Sequence, residues 1–464
     1  MAFMKTRFPH RQINAPRVIM LSFAGAILAG TVLLILPFAT RSPGPMPPVD
    51  ALFTAASAVC VTGLIVVDTG TFFTPFGQAV IIVLIQLGGL GIMTMSTFFL
   101  IMLRRRLTLK DRLVLRDTLG EKQVKGFKGL ILLIVGMTVF LETAGGISLA
   151  WRFYRVYGYP PGKAVVHGFF HSISAFCNAG FSLYSDSLAR FSGDGIVIGV
   201  MGGLILLGGF GFLFWFNLTH FYFWRKDRLR RGRIRLQTRI VLAISGMLLL
   251  VMFLVFLGVE WENTLRDQAL SEKLLSSFFH AVTPRTAGFN ILPVSRMLPA
   301  TLWLTMIMMF IGASPGSTGG GIKTVTFAVI LASVYRMVTD RGQVLIGKKA
   351  IADNTAVRAI SIAVLSLALI FTSTGLLLLL ESPGVGDACR AGYLGDIFFE
   401  TISAFGTVGL STGVTPDLSA PGKLVITLTM FLGRIGPLTL ALLIGRRRQA
   451  PLSARYPEEA VMVG

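Results

Sequence analysis

Phe405-Gly406-Thr407-Val408-Gly409-Leu410-Ser411-Thr412-Gly413 decides the fold, because altered copies of it recur three more times, each between two long apolar runs. The copies are Val59-Cys60-Val61-Thr62-Gly63-Leu64, Phe176-Cys177-Asn178-Ala179-Gly180-Phe181 and Pro284-Arg285-Thr286-Ala287-Gly288-Phe289. Aligned on Gly63, Gly180, Gly288 and Gly409, they are spaced by 117, 108 and 121 residues, the signature of an internal repeat. Four similar units therefore surround one axis. Glycine tolerates positive φ and lets the chain turn carbonyl oxygens inward, and four such bends can replace the hydration shell of a monovalent cation. This pattern predicts a selectivity filter built from Val61, Thr62, Gly63, Asn178, Ala179, Gly180, Thr286, Ala287, Gly288, Thr407, Val408 and Gly409.

Outward from these loops the chain is a membrane protein by composition. Its mean hydropathy is +0.72, with 53% hydrophobic and 14% charged residues, which excludes an ordinary soluble globule. The net charge of +21 points superficially to nucleic acid. The basic residues are instead bunched between apolar runs, at Lys5 to Arg17, Arg104 to Lys128, Arg225 to Arg239, Arg336 to Lys349 and Arg446-Arg447-Arg448. That is the positive-inside distribution, and it argues against a nucleic-acid partner. Cys60, Cys177 and Cys389 have no metal-ligand or disulfide spacing and read as small packing residues. Met1 to Arg17 runs into apolar sequence without a cleavage site, so it reads as a retained cytoplasmic terminus.

Each unit reads as span, short helix, loop, span. The expected spans are Val18 to Phe38 and Phe76 to Leu103, Gly129 to Leu149 and Ile196 to Trp224, Ile240 to Val259 and a broken Leu298 to Val338, and Ala359 to Leu380 and Leu424 to Ile444. The short helices, Asp50 to Val59, Lys163 to Phe176, Gln268 to Val282 and Leu394 to Phe405, cannot cross a bilayer and are expected to be re-entrant. The prediction is an all-α membrane protein with eight transmembrane helices in four repeats, residues 1–115, 116–236, 237–350 and 351–464, around a pseudo-fourfold pore. With every basic segment on one side, the repeats are parallel and the loops enter from the outer side.

The copies are unequal. Ser57-Ala58, Ser174-Ala175 and Ser403-Ala404 start six residues before the glycine, whereas the third unit has His280-Ala281 eight before Gly288. A less symmetric filter is expected, with fewer strong sites than the Thr-Val-Gly-Tyr-Gly of potassium channels, which Thr407-Val408-Gly409-Leu410 matches only in part. The span glycines Gly88, Gly89, Gly91, Gly208, Gly209 and Gly211 read as helix-packing positions.

The third unit's return span is interrupted by Gly312-Ala313-Ser314-Pro315-Gly316-Ser317-Thr318-Gly319-Gly320-Gly321-Ile322-Lys323-Thr324. Such density of glycine and proline cannot stay helical, so an intramembrane loop beside water is expected. With no preceding strand and Ile322 before Lys323-Thr324, it is not a phosphate-binding loop, and no nucleotide is expected on this chain. Gly312, Gly316, Ser317, Thr318, Gly319, Gly320, Gly321 and Lys323 are read as a gate below the filter.

Arg434, far from either interface, reads as an electrostatic barrier facing the pore or as one half of an ion pair, with Glu142 as a candidate partner for Arg434 or Lys323. Asp68, Asp186 and Asp417 stand beyond filter loops, either simply solvated or forming a negative mouth.

With the Gly-rich interruption and Phe431-Leu432-Gly433-Arg434-Ile435-Gly436-Pro437-Leu438-Thr439 added to the four loops, nearly the whole chain resembles the Trk/Ktr/HKT superfamily of potassium transporters. The eight-span count and the tail Arg455 to Glu459 make it most similar to the Ktr branch's membrane subunit. That resemblance implies potassium uptake across the bacterial plasma membrane, with both termini cytoplasmic. It implies a homodimer in the lipid bilayer, one pore per subunit, seated on a cytosolic KtrA-like ring that binds ATP or ADP. It also implies K+ as the permeating ion, with Na+ as a stimulating or second ion, although no residue marks a sodium site. In the plant relatives, glycine at the first filter position accompanies potassium permeation and serine accompanies sodium preference. Two rivals are weaker: an alternating-access carrier of another small solute usually has inverted repeats, and an enzyme needs a reactive cluster at depth.

Gly63→Ser is expected to weaken discrimination of potassium from sodium; an unchanged permeability ratio in flux assays contradicts it.

Overall fold

The computed structural model describes residues 15–41, 44–104, 127–223, 236–339, 342–347, 349–381 and 390–436. The expectations for Lys5 to Arg11, for basic runs 105–126 and 224–235, for Cys389 and for everything beyond 436 lie outside these residues.

The elements fall in chain order into four groups, each holding one of the glycine loops. The first unit holds α1 (Ala15–Ile35), α2 (Pro48–Cys60), the turn α3 (Thr69–Phe72) and α4 (Pro75–Arg104). The second holds α5 (Phe127–Arg155), α6 (Pro161–Phe176), α7 (Gly195–Phe210) and α8 (Phe212–Phe223). Next come α9 (Leu236–Val259), α10 (Leu270–Val282), α11 (Pro299–Phe310) and α12 (Thr324–Val338). After the strands β1 (Val344–Ile346) and β2 (Lys349–Ile351), the fourth unit has α13 (Asp353–Glu381), α14 (Arg390–Gly406) and α15 (Ala420–Ile435).

Proline starts many of these helices, where its fixed φ suits the first turn and its missing N–H costs nothing: Pro48, Pro161, Pro299 and Pro421 all sit there. Asp194 starts α7 by accepting from the amides of Ile196 and Val197 at 3.0 and 3.2 Å. The short helices α2, α6, α10 and α14 have 13, 16, 13 and 17 residues, too few to span hydrocarbon, and their inner halves are buried by protein. Among the described residues three helices are long and apolar enough to cross a membrane: Leu132–Arg155, Leu236–Val259 and Asp353–Glu381. Large apolar side chains stand exposed on them, Leu132, Phe140, Leu250, Phe371 and Leu379 among others, while Phe176, Phe181, Phe279, Phe289, Phe399 and Phe405 are fully buried around the short helices. This is a helical membrane fold with its densest packing at the loops.

Two expectations need correction. The apolar run from Ile196 is not one helix: Gly211, at φ +79°, separates α7 from α8, and the pair bends by 90°. Glycine there is both a helix break, through its positive φ, and a packing position, because the carbonyl of Pro315 lies 2.8 Å from where its Cβ would be. The chain is also not wholly helical, since β1 and β2 pair antiparallel, Val344 opposite Ile351, within the basic connection before α13. The broken third return span is present, as α11 and α12 separated by residues 311–323.

The units are joined in a cycle. Each unit's return helix packs on the next unit's short helix: α4 on α6, α7 on α10, α11 on α14, and α15 back on α2. A salt bridge of 2.8 Å between Lys423 and Asp50 ties that last contact. Within units, carboxylates lace the outer ends of the hairpins. Glu381 accepts from the Ser419 hydroxyl at 2.6 Å, and Glu260 accepts from the Leu298 amide and Thr301 hydroxyl at 2.8 and 2.6 Å. Burial pushes the Glu260 carboxyl up, but donors from Thr301, Leu298, Asn263 and Thr264 outweigh it and hold it below the usual carboxylate range.

Glu260→Ala strands these donors and is expected to cost about 3 kcal/mol, read as a lower Tm of the purified protein in detergent. Because the folded-state pKa is depressed, this stabilisation is complete above the ordinary carboxylate range and lost as pH falls through the folded value. The variant's Tm should therefore fall less on acidification than the parent's; parallel curves contradict the assignment.

Candidate cation-binding site

Each short helix ends in the same backbone device. Val61, Asn178, Thr286 and Thr407 have φ of 55°, 59°, 67° and 48°, and two residues later Gly63, Gly180, Gly288 and Gly409 have φ of 91°, 72°, 77° and 92°. Left-handed residues at alternate positions redirect successive peptide groups, and β-branched Val61, Thr286 and Thr407 adopt that conformation only under strong outside constraint. The constraint is visible as hydroxyl braces. Ser57 donates to the Leu64 carbonyl at 2.7 Å and accepts from the Gly63 amide at 3.1 Å. Ser174 donates to Phe181 O at 2.8 Å, and Ser403 accepts from the Gly409 amide at 3.1 Å. In the third unit Thr283, one residue closer to its glycine, donates to Phe289 O at 2.5 Å. His280, expected to mark an asymmetric copy, is elsewhere, stacked on Phe256 and bonded to Thr305 at 3.2 Å. The asymmetry is a one-residue shortening, and threonine restores the brace.

The four glycines close a ring. A Cβ on Gly63 would lie 2.5 Å from the Ala179 oxygen, one on Gly180 3.0 Å from the Ala287 oxygen, one on Gly288 against the Val408 oxygen and one on Gly409 against the Thr62 oxygen. All twelve predicted residues are thus brought together in four adjoining loops. Among the described residues none of the carbonyls of Thr62, Ala179, Ala287 and Val408 accepts a hydrogen bond, and the buried hydroxyls of Thr62 and Thr407 have no partner. Unpaired buried oxygens are costly, and a dehydrated cation is the partner that suits a set of acceptors with no donors. The C-terminal ends of the short helices add negative potential. The Asn178 amide fits with its nitrogen on the carbonyls of Ala175 and Ile205, at 2.9 and 3.2 Å, and its oxygen towards Thr286.

Directly against this ring lies loop 311–323. A side chain at Gly319 would collide with the Thr286 hydroxyl and one at Gly320 with the Thr407 hydroxyl. Glycine is required there for close approach; only Gly316 and Gly321 have positive φ. The loop is seated in the break of the second unit: the Phe212 amide donates to Gly316 O at 3.1 Å and the Ser314 amide to Gly209 O at 3.1 Å. The Ser317 hydroxyl donates to Ser314 O at 2.6 Å and Thr318 to Phe176 O at 3.3 Å. Gly312 lies against the carbonyl of Gly320. Lys323 turns back on its own loop, donating to Gly319 O at 2.6 Å and Gly320 O at 3.3 Å.

Arg434 is buried and donates to the carbonyls of Thr318 and, at 3.2 Å, Gly88. It joins the first, third and fourth units, and among the described residues no carboxylate pairs with it. Glu142 is not the partner of either cation, because Gln86 and Cys177 occupy its oxygens. Of the acids beyond the loops, Asp68 accepts from the Thr71 amide and Asp186 pairs with Arg190 at 2.7 Å. Gly88, Gly208 and Gly433 each pack on a carbonyl at the inner end of a short helix, as packing glycines do. Sequence reasoning missed buried Glu400, which accepts from the hydroxyls of Ser411 and Thr415 and the Thr412 amide and so fixes the chain beyond Gly409. The buried Arg285 was missed likewise.

Residues 17–451 match the TrkH family, described as cation transport protein. The chain is 40% identical over 455 residues to Ktr system potassium uptake protein B of Bacillus subtilis (strain 168), covering 98% of this chain and 97% of that one. It is 34% identical over 466 residues to potassium/sodium uptake protein NtpJ of Enterococcus hirae, with both chains fully covered. Among solved structures, the crystal structure of the potassium transporter TrkH from Vibrio parahaemolyticus has a TM-score of 0.69, covering 95% of this chain and 87% of that one; at 19% identity the likeness is one of fold.

Gly320→Ala is expected to drive the loop away from the Thr407 hydroxyl and raise cation uptake several-fold, since overpacking the seated loop typically costs about 1–3 kcal/mol. Gly162→Ala, where nothing lies near the added Cβ, is the control. Equal uptake by the two variants counts against contact between loop and ring.

Proposed function

Since the chain belongs to the TrkH family of cation transport proteins, we propose that it conducts potassium inward, down its electrochemical gradient, through one pore per chain. The single observation that carries this reading is the closed ring of buried carbonyls from Thr62, Ala179, Ala287 and Val408 with no hydrogen-bond donor among the described residues. Water around an ion is replaced there by main-chain oxygen, with the residues of all four loops as ligands. Relatives named for potassium and for potassium/sodium uptake support K+ as the permeant ion and Na+ as a second ion.

In this reading the four units, residues 1–115, 116–236, 237–350 and 351–464, cross the plasma membrane eight times, with α2, α6, α10 and α14 re-entrant from outside and both termini in the cytoplasm. Loop 311–323 is the gate: it lies against the filter's Thr286 and Thr407, so conduction requires it to withdraw. Arg434 holds it shut through Thr318 and places a positive charge, unpaired among the described residues, beside the path, a barrier to cations. A homodimer seated on a cytosolic nucleotide-binding ring of the KtrA type supplies the opening stimulus; the relatives' description as parts of a Ktr system supports a partnered assembly.

The test is rubidium and sodium flux into proteoliposomes. Rubidium uptake well above sodium uptake is expected, and Arg434→Gln should raise flux several-fold by freeing the loop and removing the charge. Saturable uptake of an organic solute with no rubidium flux would replace the pore by a carrier.

A further inference from the structure

Behind the second filter loop lies a cluster that none of the preceding roles uses. Glu142, on α5, is 6% exposed, and among the described residues no cation lies within ion-pair distance of it. Its Oε2 accepts from Gln86 Nε2, on α4, at 3.1 Å. Its Oε1 is 3.8 Å from Sγ of Cys177, which caps α6 and directly precedes Asn178. The same Sγ lies 3.5 Å from Gln86 Oε1. The backbone carbonyl of Glu142 accepts from Ser172 of α6 at 2.7 Å, so α5 and α6 are fixed against each other one turn away.

Counting protons decides the state of this triad. The thiol has one hydrogen and two acceptors facing it, Gln86 Oε1 and Glu142 Oε1. If Glu142 were a carboxylate, one acceptor would go without a donor, and a bare charge would be buried at membrane depth without a counterion. If Glu142 is the acid, the three groups close a circuit: amide to carboxyl, carboxyl O–H to sulfur, thiol to amide oxygen. We infer that Glu142 is held as the neutral acid and, with Gln86, positions Cys177 and hence the carbonyls of Asn178, Ala179 and Gly180. Glu142 is a positioning residue for ion discrimination, not an ion ligand, and this role rests on the filter reading above. The first and second units meet here, at the Gly63 and Gly180 side of the ring. Gly89 packs on the same Sγ, where its Cβ would lie 2.7 Å away, so the thiol is confined from behind as well.

Two independent measurements test this on the full-length protein. Infrared difference spectra between the parent and Glu142→Gln should lose one protonated-carboxyl C=O band; loss of a carboxylate band instead overturns the inference. In proteoliposomes, Glu142→Gln, which keeps both a donor and an acceptor, should retain the rubidium over sodium preference. Glu142→Leu and Cys177→Ala should each lower it about fivefold, the scale of one hydrogen bond. The double variant should be no worse than the poorer single one, because one triad is broken once. Cys177→Ala keeps the test alive should Glu142→Leu not fold. If Glu142→Gln is as damaging as Glu142→Leu, the residue acts as a charge and the inference falls. If the parent protein itself does not distinguish rubidium from sodium, the proposed function falls, while the infrared result still reports on Glu142.

Discussion

Buried main-chain oxygens without donors are the constraint from which the rest of this molecule follows. A peptide carbonyl removed from water needs a partner, and among the described residues Thr62, Ala179, Ala287 and Val408 have none. Such an arrangement persists only where surrounding structure over-determines it. Hence the braces from Ser57, Ser174, Thr283 and Ser403, the left-handed residues two before each glycine and the dense phenylalanine packing around the short helices. The long helices contribute apolar surface to lipid, and α5 also sets Glu142 behind the second loop.

Below the ring the design changes from repetition to asymmetry. Only the third unit carries the loop 311–323, and only the second unit has the break at Gly211 that receives it. The two breaks fit each other, backbone to backbone, through Phe212 with Gly316 and Ser314 with Gly209. Arg434 crosses from the fourth unit to fasten the same loop. The ring of carbonyls is therefore made by four alike loops, and the contacts beneath it by parts that differ.

Much of the site was legible in the chain because glycine at a fixed distance after a short helix leaves a pattern. The four loops, the short helices to within a few residues and the interrupted third return span were all readable. Gly211 was not, because Gly208, Gly209 and Gly211 look like ordinary packing glycines, and the bend depends on a loop about a hundred residues away. Thr283 was overlooked because its hydroxyl is displaced by one position from the serine pattern. The partners of Arg434 left no trace, since a carbonyl is present at every residue. Glu142 looked like a counterion by charge alone; its actual neighbours, an amide and a thiol, could be found only in three dimensions.

The Lys423–Asp50 bridge joins residues 373 positions apart and closes the cycle between the last unit and the first. During synthesis the opening segments must therefore wait in the bilayer, incomplete, until the final hairpin has been inserted. Until then the ring of carbonyls stays open, because the bend at Gly409 is the one that lies against the Thr62 oxygen. Closure of the ring is thus tied to the end of synthesis through chain order.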